Sequence, residues 1–227
     1  MLTRTQTLNS QNAKSLTQIE AHVLSSNEPK FEVPTWKHVY DMLLRLANKI
    51  RNDNLQPDVI VGVSRGGWVP ARLLSDFLEN PNLANARVEY YKGINETEKS
   101  PRLTQFLSTD VRGKTVLVVD EVADRGESLK LAKEHASEQG ARNVKTATIY
   151  CKPWSKFKPD YYGEETGRWI VFPWEIKETI KLICKTHKTD LSVAQAELAE
   201  LSKSGVSKRL ISHFLKEFSD FKHAKPS

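Results

Sequence analysis

Residues 116–129 read VLVVDEVADRGESL, and the stretch changes character halfway along. Four apolar residues, Val116 to Val119, suit a buried strand. Asp120, Glu121 and Asp124 then follow, with Gly126 and Ser128 close behind. A chain that runs from a strand through a glycine turn into a helix aims several backbone N–H groups at one point, and the helix dipole makes that point an anion cradle. Ser128 adds a hydroxyl donor. Asp120 and Glu121 would repel a bare phosphate, but carboxylates accept well from the neighbouring hydroxyls of a sugar. The pattern therefore points to a sugar phosphate, with its phosphate in the loop from Asp124 to Ser128 and its ribose hydroxyls on the acid pair. An acidic turn that merely caps the next helix is the competing reading. It suits a lone acidic pair better than three acids, a glycine and a hydroxyl within nine residues. No Gly-x-x-x-x-Gly-Lys-Ser/Thr run occurs, which excludes a Walker-type nucleotide loop.

On either side of this stretch, strand patterns alternate with helical ones. TWKHVYDMLLRLANKI (35–50) carries Val39, Leu43, Leu46 and Ile50 at helical spacing, with Thr35 as its N-cap. PDVIVGV (57–63) reads as a buried strand, SRGGWVP (64–70) as a Gly-rich turn and ARLLSDFLEN (71–80) as a helix. ARVEYYKG (86–93) is the next strand, and the polar, aperiodic INETEKSPRL (94–103) reads as a mobile loop. GKTVLVV (113–119) and NVKTATIY (143–150) are strands around a helix, SLKLAKEHASEQG, that Gly140 ends. Strands apolar throughout and alternating with helices predict an α/β fold, a mostly parallel sheet flanked by helices. In such sheets the ligand sits at the carboxyl ends of the strands, where Asp120, Glu121 and Asp124 are expected. Beyond RWIVFPWE (168–175) strand formers become rare, which predicts a C-terminal helical appendage over 175–227. Residues 1–30 read as a possibly disordered N-terminal arm, leaving 31–174 for the main domain.

Composition narrows the partners. Of 227 residues 27% are charged and 39% apolar, a soluble globular balance, and no apolar run reaches the roughly 20 residues of a membrane span. The N-terminus lacks a secretory signal core, so a cytoplasmic protein is expected. Two cysteines, Cys151 and Cys184, lie far apart, which argues against a disulfide framework or thiolate zinc site. A net charge of +6 suits anionic partners, phosphorylated metabolites and nucleic acid alike.

The stretch 116–129 resembles the phosphoribosyl pyrophosphate (PRPP) motif of type I phosphoribosyltransferases. VGVSRGGWVPARLL resembles the pyrophosphate loop of their xanthine-guanine branch, IYCKPW the base-recognising strand and RWIVFPWE the purine-stacking segment. All four stand in the family's order. The resemblance implies the type I phosphoribosyltransferase fold with a small hood, and transfer of the 5-phosphoribosyl group of PRPP to a purine with release of pyrophosphate, in purine salvage. It implies that Ser64, Arg65, Gly66 and Gly67 hold pyrophosphate, with a cis peptide between Ser64 and Arg65. Asp120 and Glu121 would bind the ribose hydroxyls and orient PRPP loaded with Mg²⁺, touching the metal indirectly through PRPP or water. Asp124 would be the general acid/base, and Asp124, Arg125, Gly126, Glu127 and Ser128 would hold the 5′-phosphate. Lys152 would donate to an exocyclic oxygen of the base, Trp169 would stack on it, and the Ile170 backbone would read its edge. Trp68, Trp154 and Trp174 read as packing residues.

Two departures stand out. Arg125 replaces the small residue usual after the catalytic aspartate, and YYKGINETEKSPRL lacks the Ser-Tyr pair that many hypoxanthine-guanine members carry. A 6-oxopurine (hypoxanthine, guanine or xanthine) is the expected acceptor, with adenine the alternative. A PRPP- or purine-sensing transcription regulator on the same fold is the rival from another class. Its support is QAELAELSKSGVSKRLIS, which faintly resembles a helix-turn-helix. Six positions separate Ala199 from Gly205 where four are usual, and basic residues interleave with acids. No DNA or membrane partner is therefore expected, and a homo-oligomer is.

Overall fold

In the computed structural model, which describes residues 29–91, 100–187 and 190–223, the strand β5 (Thr115–Ala123) occupies the middle of a six-stranded sheet. β2 (Val59–Ser64) and β6 (Asn143–Cys151) flank it. Outward lie β3 (Leu83–Tyr91) and then β4 (Ser100–Gln105) on one side and β7 (Tyr161–Glu165) on the other. All neighbours run parallel except β3 and β4. Val59, Val61 and Val63 of β2 and Val116 and Val118 of β5 bury one face against Leu129, Ala132 and Ala136 of α3 (Glu127–Glu138). The opposite face meets α2 (Trp68–Phe77): a Cβ on Gly62 would touch that of Ala71 at 3.0 Å. α1 (Trp36–Asn52) buries Val39, Leu43, Leu46 and Ile50, the residues its periodicity selects. Both faces are covered, which is why the central strands can be apolar throughout.

The sheet extends further than the apolar runs suggest. Asp120 and Glu121 do not follow β5; they lie inside it, because β6 runs alongside to Cys151 and pairs Asp120 with Thr148 and Val122 with Tyr150. β3 begins at Leu83 rather than Ala86, and β7 has no counterpart in the sequence reading. The expected loop over 94–103 is corrected at its end: Ser100 to Leu103 belong to β4, drawn into the sheet by antiparallel pairing of Arg102 with Glu89 and Leu103 with Val88. The remainder of that loop lies outside the described residues.

Trp36–Gly167 forms one compact unit. The segment ending at Thr35 and the chain from Arg168 onward form the other. In this second unit β1 (Phe31–Glu32) pairs in parallel with β8 (Trp169–Ile170), and three helices follow: α4 (Ile176–Thr186), α5 (Leu191–Lys203) and α6 (Lys208–His223). The chain passes from one unit to the other at 35/36 and 167/168. The physical reason is that Phe31 and Val171 bury in one cluster with Ile180, Leu198 and Leu201 of the helices. Among the described residues no helix is long and apolar enough to cross a membrane.

Candidate active site

Three parallel strands end side by side, β2 at Ser64, β5 at Ala123 and β6 at Cys151. The segments that follow them carry Ser64–Gly67, Asp124–Ser128 and Lys152. The site residues expected in this unit therefore gather at one edge of the sheet, where a parallel α/β sheet keeps its ligands.

The turn after β2 lies against β5 with almost no clearance. The Ser64–Arg65 peptide is cis, and the Asn85 amide donates to Ser64 Oγ at 3.3 Å. A Cβ on Gly67 would fall 2.5 Å from the Val119 carbonyl oxygen, 2.7 Å from that of Val63 and 2.8 Å from Asp120 Cα. A Cβ on Gly66 would fall 2.0 Å from Glu121 Oε1. Close backbone approach requires glycine at 67, whereas at 66 it is the carboxylate end of Glu121 that fills the space, and the Arg65–Gly67 backbone lies beside the acid pair.

Asp120 is buried, and its Oδ1 accepts the backbone N–H of Glu121 at 3.0 Å. Glu121 Oε2 is buried with no hydrogen-bond partner among the described residues. Burial, and then the neighbouring Asp120 charge, push the Glu121 carboxyl well above the ordinary carboxylate range, while Arg65 pulls the other way. A buried acceptor without a donor is costly, so this pair is set up to receive hydroxyl donors or to sit beside a cation. Among the described residues no cluster of three or more His, Cys, Asp or Glu could cage a metal. A divalent ion therefore fits here only if a ligand supplies most of its oxygens, as is usual for Mg²⁺ on phosphates.

The turn after β5 is braced by the segment after β6. Gly126 has φ +78, a conformation that favours glycine, and a Cβ there would meet the Phe157 carbonyl oxygen at 2.5 Å. Behind it α3 begins at Glu127, with Lys130 N–H donating to the Gly126 carbonyl at 2.9 Å. Ser128 Oγ donates to the Tyr90 hydroxyl at 3.1 Å. Burial pushes the Tyr90 phenol up, the Ser128 bond opposes it, and the carboxylates of Glu127, Asp120 and Asp124 add to the rise. Arg125 is exposed.

Asp124 is exposed, and its Oδ1 accepts the Trp154 indole N–H at 2.9 Å. The Lys152 side chain is buried, with its ammonium 5.4 Å from the centroid of the Trp154 ring. Lys152 itself is fixed by its N–H donating to the Ala123 carbonyl at 3.0 Å. One indole thus joins the lysine after β6 to the aspartate after β5. Trp154 reads as a packing residue in the sequence, and the signal that marks it is its place two residues after Lys152. Tyr90 was not singled out at all, because an aromatic near the end of an edge-side strand carries no distinguishing pattern. Trp174 does pack, stacking on Phe172 with centroids 4.7 Å apart and an interplanar angle of 7°.

Trp169 and Ile170 belong to the second unit, where β8 is held by Trp169 N–H to the Lys30 carbonyl at 3.0 Å and Val171 N–H to that of Glu32 at 2.8 Å. Trp169 presents an exposed ring, whereas Ile170 is buried.

A model of the phosphoribosyl transferase domain matches residues 32–180. The chain is 38% identical to a purine phosphoribosyltransferase from Pyrococcus horikoshii, whose structure it resembles with a TM-score of 0.58 over 64% of this chain and 93% of that one. It is 27% identical over 143 residues to the xanthine-guanine phosphoribosyltransferase of Gluconobacter oxydans, covering 62% of this chain and 82% of the relative. The hypoxanthine-guanine phosphoribosyltransferase of Saccharomyces cerevisiae is likewise 27% identical over 143 residues, 56% of this chain and 63% of that enzyme. The chain so spans less than two thirds of the yeast relative's length. With its glycine-rich turn, acid pair and buried lysine at the expected strand ends, the chain belongs to the phosphoribosyl transferase domain family, among its purine phosphoribosyltransferases.

Proposed function

We propose that this protein transfers the 5-phosphoribosyl group of PRPP to a 6-oxopurine, releasing pyrophosphate, as a purine-salvage enzyme of the cytoplasm. The observation that carries the reading is the buried Lys152 ammonium set on the Trp154 indole that also holds Asp124. An ammonium only donates hydrogen bonds, so it suits the oxygen at purine position 6 and opposes the amino group of adenine. The relatives named for xanthine, guanine and hypoxanthine support the same choice.

In this reading the Arg65–Gly67 backbone and the Arg65 guanidinium take the pyrophosphate, the acid pair takes the ribose hydroxyls, and the backbone from Asp124 to Ser128 takes the 5′-phosphate. The C1–oxygen bond to pyrophosphate breaks as a ring nitrogen of the base bonds to C1, and positive charge builds on the sugar between the two events. Asp124 shuttles the proton of the purine's five-membered ring, and the Trp154 N–H keeps the carboxylate turned toward it. Asp120 and Glu121 would hold Mg²⁺ indirectly, through PRPP or water, and the ion would supply neutralisation of charge on the leaving pyrophosphate. Trp169 supplies the stacking face, with the Ile170 backbone reading the edge of the base.

The test is turnover with Mg²⁺, PRPP and hypoxanthine, guanine, xanthine or adenine, with product nucleotides separated and counted. Nucleoside monophosphate from the oxopurines supports the reading. No nucleotide from any of the four would remove it, and product from adenine alone would move the enzyme to the alternative acceptor.

A further inference from the structure

The match to the phosphoribosyl transferase domain ends at residue 180, before α5 and α6. These two helices lie outside the matched residues, and their surface has a chemistry of its own. We infer that α4, α5 and α6 form a helix-turn-helix module that binds duplex DNA, with α6 as the helix that enters the major groove. The inference goes beyond phosphoribosyl transfer and stands independently of it.

The first support is the joint between the helices. α5 ends at Lys203 and α6 begins at Lys208, so four residues make the turn. Gly205 lies within it at φ +129, a left-handed conformation that favours glycine. Short turns of this length, often with a glycine, are what join the two helices of a DNA-binding helix-turn-helix. Val206 in the turn is buried together with Leu201 of α5 and Ile211 of α6, and Ile180 and Ile183 of α4 complete the cluster. The spacing counted from Ala199 does not match a helix-turn-helix, but Ala199 is not the residue at the joint. Ala199 is exposed, and Leu201 is the α5 residue packed at the joint.

The second support is how charge is sorted. In sequence the basic residues interleave with acids, but in space Glu197, Glu200 and Glu217 each have a cation of their own. Glu197 binds Lys30 and, at 2.7 Å, His187; Glu200 binds Lys203 at 2.6 Å; Glu217 binds Lys177. Lys208, Arg209, Ser212 and His213 are all exposed, and their spacing puts them on one face of the first half of α6. No acid occurs between Ser207 and Lys216. The other side of the helix carries Leu210, Ile211, Phe214, Leu215 and Phe218 into the three-helix core.

A single helix face of cations, a hydroxyl and an imidazole fits a polyanion whose groove admits a helix and whose base edges offer acceptors. B-form DNA has such a groove, about 12 Å wide. A lipid surface would call for exposed apolar residues bordering the cations, whereas Leu210, Phe214 and Leu215 beside this face pack against the three-helix core. Duplex RNA has a major groove too narrow for the helix. A second copy of the same cationic face would be repelled.

The test uses the full chain and a fluorescein-labelled mixed-sequence 30-base-pair DNA duplex, read by anisotropy first at about 50 mM salt and then over a salt titration. Micromolar or tighter binding is expected, weakening steeply with salt. Lys208→Glu with Arg209→Glu should lower affinity at least tenfold and reduce the salt slope by about 2, since each lost phosphate contact removes about 0.9. The variant's thermal midpoint and its phosphoribosyl transfer should stay unchanged. Three results would overturn the inference: no binding by the intact chain at about 50 mM salt, binding that the double charge reversal leaves unchanged, or displacement of the probe more readily by an RNA duplex of the same sequence or by phosphatidylserine vesicles than by unlabelled DNA.

Discussion

Gly66 and Glu121 stand so close that a Cβ on the glycine would lie 2.0 Å from the carboxylate's Oε1. The loop proposed to take pyrophosphate and the strand proposed to take the ribose are therefore one surface, and a methyl group is enough to separate them. Gly66→Ala meets the far end of a flexible side chain, so Glu121 swings away and the fold stays. Gly67→Ala meets backbone instead, at Val119, Val63 and Asp120. Gly66→Ala should raise the KM for PRPP roughly tenfold or more with little change in thermal midpoint. Gly67→Ala should cost about 1–3 kcal/mol of stability, the usual range for overpacking. Steady-state kinetics and calorimetry on the two variants check this; equal stability losses would contradict the distinction.

Asp124 and Trp154 should behave as a unit. Asp124→Asn is expected to cut kcat by roughly 10²- to 10⁴-fold, the usual worth of general acid–base catalysis. Trp154→Phe removes one N–H donor and keeps most of the ring, which at about 1–1.5 kcal/mol corresponds to roughly tenfold in kcat. The KM for PRPP should hardly move in either variant, because the phosphate cradle is backbone. In an Asp124→Ala background the Trp154→Phe change should have almost no further effect on kcat. Additive losses in that cycle would show that the indole acts on something other than the carboxylate.

Much of this was legible in the sequence, and the exceptions have physical reasons. The order of acids, glycine and hydroxyl in 116–129 marks the site because few structural roles need that combination at a strand end. The buried strands β2, β5 and β6 were legible because a doubly covered sheet leaves unbroken apolar runs. β7, whose YYGEE alternates weakly, was not, and neither was the extension of β5 through Asp120 and Glu121. Both depend on a neighbouring strand offering backbone partners, which is a property of the sheet rather than of the segment. Pairing of β1 with β8 is equally non-local, and it is what carries Phe31 into the C-terminal core. Trp154 escaped because its ring looks like any packing residue until its indole nitrogen is seen against Asp124.

Asp160 gives the fold an acid-sensitive joint. Its carboxylate accepts Thr146 N–H at 2.9 Å, Thr146 Oγ1 at 2.8 Å and Lys145 Nζ at 2.9 Å. Burial tends to raise this carboxyl, but the bonds from Lys145 and Thr146 outweigh it, and it lies below the ordinary aspartate range. A lowered folded-state value means the stabilisation is present above about pH 4, the unfolded-chain value, and is lost as pH falls through the lower folded one. Asp160→Asn should therefore lower stability near neutrality by about 1 kcal/mol, or roughly 2–4 °C, the effect being kept small by solvent access. The two proteins should converge in thermal midpoint as pH drops below about 4. A constant gap down to pH 2.5 would sink the assignment.

In the proposed reaction Lys152 decides the acceptor. The residue is buried at the end of β6, with its ammonium 5.4 Å from the centroid of the Trp154 ring. Against hypoxanthine, guanine or xanthine it donates to an acceptor oxygen. Against adenine two donors face each other, and each buried polar group left unsatisfied costs about 1–3 kcal/mol. The expected preference in kcat/KM is therefore roughly ten- to a hundredfold for oxopurines over adenine. Lys152→Met keeps the length and the contact with the indole but removes the donor. It should lower kcat/KM for hypoxanthine by roughly that factor while leaving adenine almost unchanged, so that the two bases approach parity. The KM for PRPP serves as the internal control, since a lysine that served a phosphate instead would raise it. An adenine preference in the wild type, or a Lys152→Met variant that keeps its discrimination, would show that the oxygen is read by some other group.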